Sequence, residues 1–197
     1  MDECVNSMAN LAENRSQEES WVSASQKGDA LAFNRLVLKW ERTIFNIASR
    51  MLQDREEAAE AAQEIFLLAF RSIRRFRRNS KFSTWLYRIA LNHCLSRLKR
   101  RPAGVHFSLD DPNASGLPAE QLLVSENQAG ELILSEQKLR VHAALSHLPP
   151  EQRSVVELKF FQELTFEEIA AVLEAPLSTI KSRLYAALEL LKTRLNA

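Results

Sequence analysis

The sequence predicts an all-α protein, built as two small helical domains joined by a flexible acidic linker, on three observations. Apolar residues recur at three- and four-residue spacing along most of the chain. No stretch shows strand-like alternation, and 197 residues with only 4 Gly and 6 Pro supply too few turn formers for a β architecture. The helical pattern lapses over 102–128, where Pro102, Gly104, Pro112, Gly116 and Pro118 accompany an acidic bias. The expected division is a disordered tail over 1–22, a first domain over 23–101, a linker over 102–128 and a second domain over 129–197. With 46% hydrophobic residues, the chain can bury a real core.

Gly28-Asp29 supplies a turn and an N-cap for a first long helix, whose apolar face is Phe33, Leu36, Val37, Trp40, Ile44, Ile47, Ala48 and Met51. Asp54 with Glu57 reads as a capping box opening a second helix, rich in Ala, Glu and Leu, that runs to about Ile73. RRFRRNSKF breaks the period around a loop centred on Asn79-Ser80. A third helix is expected from Ser83 or Thr84 to the residues before Pro102. After the linker, helical pattern returns near Ala129 and runs to Leu148, and Pro150 suits the first turn of the next helix, EQRSVVELKFFQE. Thr165 and Glu168 form another capping box, and Ser178 is the expected cap of the last helix.

The net charge of +1 conceals a partition. Residues 1–70 carry net −5, 71–101 carry 11 basic and no acidic side chains, 102–137 carry 6 acidic and no basic ones, and 138–197 carry net +1. A block of that sign and density suits a polyanion better than a solvated helix face. It also contains Phe76, Phe82, Trp85 and Tyr87, and cationic grooves with aromatic or polar pockets hold unstacked bases. Phe82 and Trp85 are expected in the core, which leaves Arg77, Arg78, Asn79, Ser80 and Lys81 to meet bases and phosphates.

Near the C-terminus a helix, a short break and a helix form a helix-turn-helix pattern, with Ala170 and Ala171 at the expected crossing. Ile169, Val172, Leu173, Ile180, Leu184 and Leu188 would be its core. Thr179, Lys181, Ser182, Arg183 and Tyr185 are then left outward, with chemistry suited to phosphates and base edges. Glu174 and Ala175 stand where such a turn usually has glycine.

Other chemistry finds no support. No glycine-rich phosphate loop, nucleophile elbow, HExxH or paired CxxC occurs, and His93-Cys94 has no partners at metal spacing. Catalysis, cofactors and metals are therefore not expected. Two cysteines, no long apolar run and a polar acidic N-terminus point to a cytoplasmic protein without membrane insertion.

From about Ser25 to Leu195 these segments, in this order, resemble a bacterial RNA polymerase sigma factor of the extracytoplasmic-function (ECF) group in the sigma-70 family. The motifs are GDALAF, DREEAAEAAQEIFLLAF, RRFRRNSKFSTWLYRIALNHCLSRLKRR, HLPPEQRSVVELKFFQELTFEEIA and LSTIKSRLYAALELL. The resemblance implies a non-enzymatic subunit that directs core RNA polymerase to promoters, its sigma-2 domain (23–101) docking core and melting the minus-ten element, its sigma-4 domain (129–197) reading the minus-thirty-five element. It implies core contacts through the β′ clamp helices and the β flap, promoter DNA as ligand, and an anti-sigma factor as regulator. Carried onto this chain, core polymerase would meet Asp54, Glu57, Glu60, Gln63, Glu64 and Phe66, with Ala59, Ala61 and Ala62 where the family has bulkier aliphatics. Minus-ten DNA would meet Arg74, Arg75, Phe76, Arg77, Arg78, Asn79, Ser80 and Lys81, then Asn92, His93, Arg97, Lys99 and Arg100 on the next helix. Minus-thirty-five DNA would meet Ser178, Thr179, Lys181, Ser182, Arg183 and Tyr185. The alternatives are a stand-alone helix-turn-helix transcriptional regulator, which leaves the basic aromatic segment unexplained, and a single-strand or RNA binder, which has no need of the C-terminal hairpin.

Overall fold

The computed structural model describes residues 16–101, 141 and 143–195, and its regular elements are all helical. The expected linker, residues 1–15 and the return of helical pattern at Ala129 lie outside the described residues. The N-terminal half comprises α1 (16–26), α2 (Ala30–Leu52), α3 (Arg55–Ser72), a 3-10 turn (Ile73–Arg75) and α4 (Phe82–Arg100). The C-terminal half comprises α5 (141 and 143–146), α6 (Pro150–Val156) continuing into a π-helical turn (Glu157–Phe161), α7 (Phe166–Leu173) and α8 (Leu177–Leu195).

Residues 16–22, expected in the tail, belong instead to α1. Val22 is buried and Trp21 packs on the core, so apolar burial holds a segment whose surroundings are polar. Gly28, at φ +99°, makes the turn into α2, a conformation that a side chain would strain. Asp29 caps α2 as expected, its carboxylate accepting from the backbone N–H groups of Leu31 and Ala32. At α3 only half of the expected capping box forms: Asp54 accepts from the N–H of Glu57 at 2.7 Å, while the Glu57 carboxylate turns to Arg97 and Arg101. Helix α4 starts at Phe82, ahead of the expected Ser83 or Thr84. No side chain caps it; the Phe82 ring packs on Phe76 and Trp85 at 6.1 and 5.5 Å, and that packing sets the first residue.

In the C-terminal half, Pro150 does occupy the first turn of α6, and Thr165 with Glu168 forms the complete capping box. The single helix expected over EQRSVVELKFFQE widens at Glu157 into the π turn. Helix α8 begins at Leu177 rather than after a Ser178 cap, because the Pro176 carbonyl already accepts the N–H of Ile180. Two expectations for the helix-turn-helix are corrected, Leu188 in its core and Ala171 at its crossing. Leu188 is exposed while neighbouring Ala187 is fully buried, and Ala171 faces outward while Ala170 packs inward.

The two halves are not held apart. Helix α7 packs along α4, and α6 meets α2 and α4. The buried residues form one apolar cluster that includes Leu36, Ile65 and Leu91 from the first half and Val155, Leu158 and Ile180 from the second.

Candidate functional site

The basic segment unfolds around one loop. At its start Phe76 is buried, its ring 5.1 Å from Trp85, so this expected DNA contact anchors the loop from below. Arg77, Arg78, Asn79, Ser80 and Lys81 are exposed, as are Arg74 and Arg75. Arg78 adopts the left-handed conformation at φ +56°. Among the described residues, Arg74, Arg75, Arg77 and Arg78 pair with no carboxylate, which leaves a cationic surface open to an anionic chain. On α4, Asn92, Lys99 and Arg100 are exposed, whereas His93 and Arg97 are half-buried.

That half-burial joins two faces the sequence assigns to different partners. Arg97 lies 2.9 Å from Glu64, 3.5 Å from Glu60 and 3.9 Å from Glu57, all on α3. The hydrogen bond from Arg97 holds the Glu64 carboxyl below the usual carboxylate range. His93 Nε2 is 2.9 Å from Glu64 Oε2, and burial pushes the His93 pKa down. Of the remaining candidates on α3, Gln63 and Glu60 are exposed, Asp54 serves as the N-cap, and Phe66 packs against the core. Leu67 and Leu68 are also exposed, and place apolar surface next to that acidic face. Sequence reasoning passed over these two, although they follow directly on the acidic face.

The helix-turn-helix places Thr179 and Arg183 half-exposed and Ser178, Lys181, Ser182 and Tyr185 exposed on the early turns of α8. Its turn is closed by Glu174 in the left-handed conformation at φ +50°. Behind it, Val141, Ala144, Leu145, Val156, Phe160, Phe161 and Leu191 line an open apolar cavity of about 160 Å³. Phe160 and Phe161 are exposed there. The π turn brings these two rings to the surface, a placement no helical periodicity signals.

Acids of the second half meet bases of the first. Lys81 Nζ is 2.8 Å from Glu168 Oε1, and Arg88 Nη1 is 2.8 Å from Glu174 Oε1. The Arg88 guanidinium also donates to the Ala171 carbonyl. Deeper in, Arg50 grips Glu157 with two bonds, Nε to Oε2 at 2.6 Å and Nη2 to Oε1 at 2.8 Å. Glu157 is only 1% exposed, also accepts from Gln162, and the Arg50 guanidinium stacks over Phe161 at 4.1 Å. Buried Arg153 donates to the carbonyls of Met51, Ser146 and Leu148 at 2.6, 2.7 and 3.0 Å.

A basic loop, a helix-turn-helix and an acid-rich helix on one helical chain meet matching comparisons. The Sigma-70 region 2 family matches residues 36–102, and Sigma-70, region 4 matches residues 138–191. The RNA polymerase sigma-H factor of Pseudomonas aeruginosa is 35% identical over 177 residues, covering 88% of this chain and 91% of that protein. The chain belongs to the sigma-70 family, in its ECF group. ECF sigma factor SigW of Bacillus subtilis is 32% identical, covering 88% of this chain and 94% of its own length, and the ECF sigma-E factor of Escherichia coli is 33% identical, covering 85% and 88%. In fold, this sigma factor resembles CnrH, solved in complex with the cytosolic domain of CnrY, at a TM-score of 0.66 and 20% identity over 91% of this chain and 97% of that one. It also resembles RpoE of Bartonella quintana, solved with the anti-sigma factor NepR, at a TM-score of 0.59 and 18% identity over 84% and 97%. As a sigma factor, the chain binds core RNA polymerase and promoter DNA and directs transcription initiation. Among the described residues, no helix is long and apolar enough to cross a membrane, and no cluster of His, Cys, Asp and Glu could hold a metal ion. Cys94 is buried, and desolvation pushes its thiol up to about 12, which makes it a poor nucleophile.

Proposed function

We propose that this sigma factor reads and melts the minus-ten element with Arg74, Arg75, residues 77–81 and the exposed face of α4, and reads the minus-thirty-five element with Ser178, Thr179, Lys181, Ser182, Arg183 and Tyr185. Domain limits of 23–101 and 129–197 follow from that division, the first now extended to include α1. One observation carries the proposal: the 77–81 loop presents three cations and two small polar side chains outward while Phe76, Phe82 and Trp85 hold its ends. Charge gathers the backbone, and Asn79 and Ser80 are free to bond the edge of an unstacked base. Core polymerase meets α3, its β′ clamp helices against Glu57, Glu60, Gln63 and Glu64. Its β flap seats an apolar side chain in the cavity beside Phe160 and Phe161. Polymerase carries the chemistry, and the sigma factor acts in the cytoplasm without catalysis or cofactor of its own.

The contacts between the halves support a closed resting state. Lys81 and Arg88 belong to the basic block, and in the closed form α7 occupies them. Among the described residues, Glu168 and Glu174 are the acids that screen the block. Binding to core opens this arrangement, and an anti-sigma factor fastens it. Reconstitution of the purified chain with core polymerase on a promoter library tests the proposal. Specific run-off transcripts are expected, and they are lost when Asn79, Ser80 and Lys81 are replaced together by alanine. Absence of core binding refutes it.

A further inference from the structure

The loop does not hold its shape by itself. Gln26, in the last turn of α1, reaches across to it from about fifty residues away in sequence. Its Nε2 donates to the Phe76 carbonyl at 2.6 Å and to the Ile73 carbonyl at 3.3 Å. Its Oε1 accepts from Arg78 Nε at 3.2 Å. Among the described residues, no other side chain donates to a carbonyl of 76–81. Arg78 is the loop's left-handed residue, a conformation unfavourable for an L-residue with a side chain unless its surroundings hold it. The amide is suited to the place because it donates at one end and accepts at the other. A glutamate there could still accept from Arg78 but would turn an oxygen on two carbonyl oxygens.

We propose that Gln26 is a positioning residue for promoter melting: it fixes the Phe76–Arg78 backbone so that Asn79 and Ser80 face the displaced strand before DNA arrives. The inference rests on the reading of the 77–81 loop given above. Preorganisation lowers the ordering cost of capture, so losing Gln26 weakens single-strand binding without removing any group that touches DNA.

The test uses holoenzyme assembled from core polymerase and full-length sigma variants. The probes are a fluorescent single-stranded oligonucleotide carrying the minus-ten sequence of a promoter the holoenzyme transcribes, and a minus-thirty-five duplex. Gln26→Leu and Gln26→Glu are both expected to weaken oligonucleotide binding about five- to tenfold. Core affinity and duplex binding stay at wild-type values. The slope of affinity against salt also stays unchanged, because the same phosphates are met, whereas loss of a direct phosphate contact would lower it by about 0.7. Asn79→Ala and Ser80→Ala test the underlying reading independently. If they weaken binding and both Gln26 variants do not, the role of Gln26 is overturned. If they bind the oligonucleotide like wild type, the loop reading itself falls. A Gln26 defect that extends equally to core affinity and duplex binding also overturns the inference, since it marks a general loss of fold.

Discussion

Arg97 Nη2 stands 2.9 Å from Glu64 Oε1, tying the helix proposed to approach promoter DNA to the helix proposed to dock polymerase. Each residue is partly engaged before either partner arrives. Arg97→Ala should therefore affect the two ligands in opposite directions. Promoter binding by the holoenzyme weakens, while core affinity holds or rises by up to about fivefold as Glu64 is released, the range of an exposed ion pair. Fluorescence anisotropy with labelled core and labelled promoter measures both. Equal weakening of both would contradict the arrangement.

The Arg50–Glu157 pair predicts an asymmetric response. Arg50→Met leaves a carboxylate buried without its cation, whereas Glu157→Gln leaves a guanidinium that retains some solvent and its stack on Phe161. Energy transfer between dyes on α2 and α8 should drop more for Arg50→Met than for Glu157→Gln. A double-mutant cycle read as closure free energy should give a coupling of about 3 kcal/mol. A coupling near zero would mean that the pair does not hold the halves together.

Closure also depends on pH, with a definite sign. The hydrogen bond from Lys81 holds the Glu168 carboxyl below its ordinary value, helped by Thr165. A depressed carboxyl contributes to the closed form above its ordinary pKa and loses that contribution as pH falls through the depressed value. The Lys81–Glu168 contact is thus constant around neutrality and fails only in acid. Lys81→Met should raise the Glu168 pKa, read by NMR titration, but not remove the Thr165 contribution. An unchanged titration in the variant would rule out the contact in solution.

Arg153 is buried and meets carbonyls instead of a carboxylate. Met51 O lies near the C-terminus of α2, Ser146 O at that of α5 and Leu148 O just beyond it, so one guanidinium satisfies helix ends from both halves. Burial pulls its pKa down to about 10, which leaves it charged at neutral pH. Arg153→Met should lower stability to urea by about 3 kcal/mol by orphaning buried carbonyls. Arg153→Lys should recover part of the loss. A methionine variant of wild-type stability would show that water replaces the guanidinium.

What the sequence made legible was local. Asp29, Pro150 and the Thr165–Glu168 box act within four residues of themselves, and each behaves as expected. The Asp54 box half-failed because Arg97 and Arg101, forty or more residues away, offer Glu57 a charged partner in place of a backbone N–H. Trp21, Val22 and Ser25 share helical spacing, a signal for α1 that the polar text around it outweighed. The widening at Glu157 shifts Phe160 and Phe161 off any 3.6-residue face. Arg50 and Glu157 lie 107 residues apart, a distance over which charge and period carry no register. For the candidate site, the exposure of the 77–81 loop and of the early turns of α8 followed from pattern. The pairing of Arg97, Lys81 and Arg88 with acids, and the support from Gln26, required the folded chain.

Glu174 closes the helix-turn-helix in a left-handed conformation where glycine would relieve about 1 kcal/mol of backbone cost. The same residue supplies the carboxylate that Arg88 meets across the two halves. A turn optimised for its own comfort would therefore fold more readily and release more readily. Local stability and the contact between the halves are opposed at this one position: a glycine that eases the turn also removes the carboxylate that Arg88 meets.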